Sequence, residues 1–267
     1  MRIETLTAAV ALACSAAASA QELPRTTPIA DGVYTYEHVD PTKRGVAVNN
    51  LIVVSSDGVL VADGQGTVDN TRQLLDAIAA ITTQPVKYVV VGSIHGDHRG
   101  GDAAFPPGTT FVKEARDLTL GGRAIDVKFL GRAHTGSDLE VFLPKEKVMY
   151  MSEAFSNAIF PSMANGFPSE WIAALKHAEE MNVDTYVPAH AALGAKALDT
   201  SRAGVALYRS ALERVVAEGR RLHDEHVPVE EAPKLADFGQ FASWVRAAEN
   251  APGALKRVYA ELDGQLK

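Results

Sequence analysis

Apolar and polar positions alternate along GVYTYEHV, Gly32 to Val39. This period of two, in a stretch rich in aromatic and β-branched residues, predicts a strand. Two apolar runs, LIVV from Leu51 and VLVA from Val59, flank Ser55-Ser56-Asp57-Gly58 and predict a hairpin. The period then lengthens. Leu74, Leu75, Ile78 and Ile81 recur at helical spacing over Thr67 to Ile81, and Pro85 closes that helix. VKYVVV, Val86 to Val91, is apolar enough for a buried strand, and it runs straight into SIHGDHRGG. The second half repeats this order. Ala124–Leu130, Leu139–Leu143 and Val148–Met151 read as strands, and Pro168–Met181 as a helix with Trp171, Ile172, Leu175 and Ala178 on one face. Thr185–Val187 reads as a short strand. From Ala203 onward the pattern is helical, with Val205, Tyr208, Leu212, Val215 and Val216 in one stripe. A last amphipathic piece, Phe241 to Leu262, is expected to break at Pro252-Gly253. Strands that deliver polar residues at their ends are the grammar of an α/β protein.

Composition narrows the class. The chain has 267 residues, 46% hydrophobic and 22% charged, as expected of a globular domain with or without an extension. A net charge of -7 and the lack of any basic run exclude a nucleic-acid partner. MRIETLTAAVALACSAAASAQE predicts a secretory signal over residues 1–20, cleaved before Gln21, and hence a periplasmic or secreted protein. Its apolar run, Leu6 to Ala13, is too short to span a bilayer. A rival reading lipidates Cys14, but Ala-Leu-Ala is a poor lipobox. Cys14 is the single cysteine. The mature chain would have neither disulfides nor thiolate ligands, so any metal must be held by His, Asp and Glu.

Four places carry such residues, each just past a predicted strand: Ser93-x-His95-x-Asp97-His98, His134 in GRAHTGSD, Glu153 in MYMSEAF, and His190 in VPAHAALG. Imidazole with carboxylate suits zinc, and also iron or manganese. Residues two apart in an extended loop point the same way, whereas Asp97 and His98 sit where the chain turns into a helix and face a second position. Gly100 and Gly101 are expected to let that helix start close to the strand. The remaining histidines have plainer readings: His177 lies off the apolar face of its helix, His223 and His226 in a charged segment, and His38 near a hairpin tip. The loop Ala154–Pro168, with Phe155 and Phe160, either walls a pocket or packs in the core.

Over Gly32 to Leu193 the order and spacing of these residues resemble the metallo-β-lactamase superfamily, with its H-x-H-x-D-H loop, distant His, bridging Asp and final His in a P-x-H context. GDHRGGDAAF and VFLPKEKVMYMSE resemble it beyond the ligands. The resemblance implies an αββα four-layer sandwich over residues 21–195, to which residues 196–267 would add a C-terminal helical extension. It implies metals at the lip between two sheets and hydrolysis by metal-activated hydroxide. His95 and His134 fall on the first metal position, and Asp97, His98 and His190 on the second. Two positions depart: Ser93 replaces the first His, and Glu153 the bridging Asp. One tightly bound zinc in the second position is therefore expected, with Glu153 as an added ligand and the first position weak or empty. Some β-lactamases of the superfamily work with one zinc there and with Asn at the place of Ser93.

In this reading Asp97, His95 and His134 are the catalytic residues, and the substrate is a small molecule with an amide, lactone or ester bond, β-lactams included. No Lys or Arg lies between Lys147 and Lys176, where many β-lactamases anchor a carboxylate. Arg99 or Arg132 is the substitute, with Ser93, Phe155 and Phe160 as pocket residues. Two further readings stay open: a metal-free binding protein on the same fold, and a mono-iron oxygenase. The oligomeric state is not readable from the sequence.

Overall fold

The computed structural model describes residues 22–40, 42–194 and 197–266; the predicted export signal and Cys14 lie outside them. Two β-sheets face each other. The first runs β1 (Arg25–Ala30), β2 (Val33–Val39), β3 (Val46–Ser55), β4 (Gly58–Ala62), β5 (Val86–Val90) and β6 (Thr110–Val112). The second is ordered β12 (Thr185–Val187), β10 (Val148–Tyr150), β9 (Glu140–Leu143), β8 (Arg123–Lys128) and β7 (Arg116–Leu120). Two short strands, β11 (Ser156–Asn157) and β13 (His190–Ala192), attach to the first sheet, because β13 pairs with β3 and β11 with β13.

Alternation along the strands sorts side chains into three cores. In β3, Leu51 and Val53 meet Ile125, Val127, Val141 and Tyr150 of the other sheet, while Ile52 between them faces away. Ile52 packs under helix α1 (Val68–Ile81), whose Leu74 and Ile78 are buried there. Thr67 caps that helix by accepting from the Asn70 amide at 3.1 Å. On the far side, Met149 and Tyr186 meet α3 (Pro168–Glu180), α4 (Arg202–Asp224) and α6 (Ala247–Leu262) through Trp171, Leu175, Tyr208, Leu212 and Val258. The layers are thus helix, sheet, sheet, helix, the αββα architecture expected.

Two short helices, α2 (Gly96–Arg99) and α5 (Ala232–Leu235), complete the set. The last helix differs from expectation. It does not break at Pro252, which lies inside α6. Proline removes one intrahelical hydrogen bond, but Ala251, Ala254, Leu255 and Val258 are buried on both sides of it and hold the helix together. Among the strands unheralded by periodicity, β1 and β7 are edge strands with few buried residues.

Candidate metal centre

Strand β5 ends at Val90, and the chain passes through Ser93 and His95 into the single turn of α2, which carries Asp97 and His98. The two glycines after it have a different role from the one expected. A Cβ on Gly100 would overlap the Gly66 carbonyl oxygen, and one on Gly101 the Thr71 hydroxyl, so they let the turn press against the start of α1 rather than against the strand. His134 sits in the β8–β9 loop, tied by Asp138, which accepts from the Thr135 amide at 2.6 Å and its hydroxyl at 3.0 Å. Glu153 occupies a 3₁₀ turn directly after β10. His190 opens β13, opposite Val48 of β3. Four separate segments thus bring their side chains to one rim of the two sheets.

There the side chains form two groups that share Glu153. Asp97, His98, Glu153 and His190 each offer an oxygen or nitrogen within 4.8 Å of the others, and so do His95, His134 and Glu153. His98 Nε2 and His190 Nε2 lie 3.1 Å apart. Asp97 Oδ2 is 3.2 Å from His190 Nε2 and 3.6 Å from His98 Nε2. Glu153 Oε1 is 3.3 Å from His190 Nε2 and 3.2 Å from His134 Nε2. Its Oε2 is 2.7 Å from His95 Nδ1 and accepts the Ser93 hydroxyl.

The donor set suits a cation. His190 Nδ1 lies 3.1 Å from the Ala47 carbonyl oxygen, and His98 Nδ1 lies 3.2 Å from Asp63 Oδ2, within ion-pair reach though not aligned as a hydrogen bond. Acceptors beside Nδ1 favour a proton there, which leaves Nε2 of both rings as a lone pair. Two lone pairs 3.1 Å apart, flanked by two carboxylates and nearly closed to solvent, repel one another unless positive charge lies between them. The titration tendencies agree. Burial would lower His98, yet Glu153, Asp63 and Asp97 outweigh it and lift the imidazole to about 9. Burial would raise Asp97 and Glu153, yet the surrounding histidines hold both well below the usual carboxylate range. Lys43 supplies one charge through its ion pair with Asp97. The carboxylates of Asp63, Asp97 and Glu153 outnumber it, so negative charge remains, as a divalent cation requires.

Glu153 also changes the ligand count expected from sequence. Its Oε1 lies between His190 of one group and His134 of the other, and its Oε2 meets His95, so the first position has three donors, not two. The second keeps four.

A cavity of about 330 Å³ opens over this cluster, lined among others by Lys43, Val46, His95, Asp97, His134, Glu153, Ile159, Phe160 and His190. Phe160 lines this cavity. Phe155 does not: it is fully buried in the helical core, its ring 5.9 Å from that of Tyr208. Ser93 is a fully buried support beneath Glu153 rather than a wall. Arg99 and Arg132 do not reach the cavity, because Asp102 and Glu170 hold them as ion pairs. The cations that line it, Lys43 and Arg246, are distant in sequence from the ligand motifs. Asp63 also escaped the sequence reading. It is buried, and it accepts from the Gly92 amide at 2.7 Å, the Ser93 amide at 3.1 Å and the Tyr150 hydroxyl at 2.7 Å. Its position at the end of a strand, in VADGQG, was the available signal.

No family model matches the chain, and no curated protein matches it. Solved structures do. A metallo-β-lactamase from Pontibacter korlensis aligns with a TM-score of 0.61 and 21% identity, over 71% of this chain and 98% of that one. A stereoselective inverting sec-alkylsulfatase from Pseudomonas sp. aligns with a TM-score of 0.68 and 14% identity, over 88% of this chain. The alignment covers 50% of the sulfatase, so this chain spans about half its length. The chain has the metallo-β-lactamase fold, as the sequence resemblance implied.

Proposed function

We propose that this chain is a metal-dependent hydrolase that cleaves an ester, lactone or amide bond of a small molecule, with zinc as its metal. The observation that carries the reading is the pair of buried Nε2 atoms 3.1 Å apart, each ring with an acceptor at Nδ1. A metal held by Asp97, His98 and His190, with Glu153 beside them, would supply Lewis acidity and a water acidic near neutral pH.

The chain's own residues divide the remaining work. His95 has Glu153 against Nδ1, and that hydrogen bond raises its affinity for a proton above that of a free imidazole. A protonated His95 lining the cavity is placed to hydrogen-bond a developing oxyanion or to protonate a leaving group. His134 lies 3.2 Å from His95 with its edge on Trp171, which fixes the direction of both rings. Val46, Ile159 and Phe160 offer an apolar wall for the body of a substrate. Residues 1–20 are read as an export signal, so the working compartment is the periplasm or the exterior.

The test is hydrolysis by the purified chain of phenyl esters, γ-lactones and a chromogenic β-lactam. The solved sulfatase adds a secondary alkyl sulfate to that panel. Activity lost on chelation and restored by zinc supports the reading. Zinc uptake without hydrolysis of any member, or iron as the native metal, would overturn it.

A further inference from the structure

We infer that Arg246 anchors an oxyanion head, carboxylate or sulfate, on the substrate of this cavity, an inference that rests on the hydrolase reading above. Other half-buried arginines are committed within the protein. Arg123 pairs with Glu146 at 2.5 Å, Arg209 with Glu179 at 2.6 Å, and Arg257 donates to the Gly166 carbonyl at 2.5 Å. Arg246 is also half-buried and lines the cavity, yet among the described residues its guanidinium has no hydrogen-bond or ion-pair partner. Lys43, the other cation on the cavity wall, is already engaged by Asp97. A half-buried guanidinium that faces a cavity with no partner of its own is free to bind an anion there, and its fork geometry suits a carboxylate or sulfate.

The backbone supports the same conclusion. Arg246 has φ +64°, a left-handed conformation that Gly or Asn would adopt more easily. Its neighbours enforce that geometry. Phe160 donates to the Val245 carbonyl at 2.9 Å, Val245 donates to the Ala158 carbonyl at 3.1 Å, and the Asn250 side-chain amide donates to the Phe160 carbonyl at 2.8 Å. Ala158 is itself left-handed, with φ +52°. Arg246 thus holds a left-handed position tied to the segment that carries Ile159 and Phe160, which fixes where its side chain leaves the backbone. Ile159 and Phe160 provide apolar surface in the same cavity as the metal donors. The inferred substrate is therefore a small organic anion with an apolar middle, its charged head held by the helix α6 layer and its scissile bond at the sheet rim.

Two measurements on the full chain as purified test this, each comparing wild type with Arg246→Asn, which tolerates the left-handed backbone, and Arg246→Lys. The first is calorimetric binding of hexanoate, hexyl sulfate and hexanamide. The anion-to-amide affinity ratio should fall about 10- to 100-fold in Arg246→Asn and less in Arg246→Lys. Hexanoate and hexyl sulfate separately identify the head group that is preferred. The second is the ratio of kcat/KM for the p-nitrophenyl monoester of glutarate over p-nitrophenyl butyrate, which should fall in parallel through KM. A ratio that Arg246→Asn leaves unchanged, or a wild type with no preference for the anions, overturns the inference. If no member of the ester, lactone and β-lactam panel is cleaved but the binding ratio still falls, the hydrolase reading fails while the anchor stands.

Discussion

Ser93 donates its hydroxyl hydrogen to Glu153 Oε2, so the two positions at which the ligand pattern departs from the metallo-β-lactamase pattern meet each other in space. Both side chains are buried. The smaller residue at 93 leaves room that the longer carboxylate at 153 fills, and the hydroxyl satisfies one of its oxygens. The two departures are in direct contact, so a change at one bears on the other.

Replacing Ser93 alone should therefore not rebuild a second tight site. Ser93→His would drive an imidazole into the Glu153 carboxylate, whereas the double variant with Glu153→Asp frees the length of a methylene. Zinc titration against a competing chelator should give one tight equivalent for wild type and Ser93→His, and a second for the double variant. A second tight equivalent in Ser93→His alone would show that the two positions are independent.

Asp63 lies 3.2 Å from His98 Nδ1 while accepting two backbone amides and the Tyr150 hydroxyl. Asp63→Asn keeps the shape but places an amide group against those donors. Metal affinity should fall by roughly 10- to 100-fold, and unfolding free energy by about 1.5–3 kcal/mol. Competition titration and urea melts read the two effects. An unchanged metal affinity would remove Asp63 from the site.

Metal should reverse the dependence of stability on pH. In stripped protein the raised His98 contributes stability that is fully present below the unfolded imidazole value near 6.5 and is lost as pH rises through about 9. The lowered Asp97 and Glu153 contribute stability above the ordinary carboxylate range and lose it on acidification. Bound metal requires neutral imidazoles, so the rise in Tm on adding zinc should grow from pH 6.5 to pH 9. Parallel melting curves with and without zinc over that window would contradict this.

Periodicity made the central strands and long helices legible because each buries one face: β3 through Leu51 and Val53, α4 through Val205, Tyr208 and Leu212. The candidate ligands were legible because their chemical types cluster at strand ends. Three things were not. Asp63 sits beside His98 from another strand end, and a lone aspartate beside a glycine reads as a turn. Lys43 and Arg246 reach the cavity by tertiary folding from opposite ends of the chain. Phe155 follows a ligand, but it is the aromatic two residues after Glu153 and points into the helical layer, which only the packing decides.

That placement has its own consequence. Phe155→Ala should cost about 3–5 kcal/mol of stability as a core truncation, measured by denaturant unfolding. Phe155→Leu should retain most of the activity. A Phe155→Leu variant that folds normally but changes substrate preference would return this ring to the pocket.

The most direct test of the metal centre is anomalous diffraction at the zinc edge from crystals grown with zinc, for wild type and His190→Ala. A strong peak is expected bounded by Asp97, His98 and His190, absent from His190→Ala, with weaker density between His95 and His134, where the set has three donors against four. A strong peak only between His95 and His134, or none at either position, would contradict this.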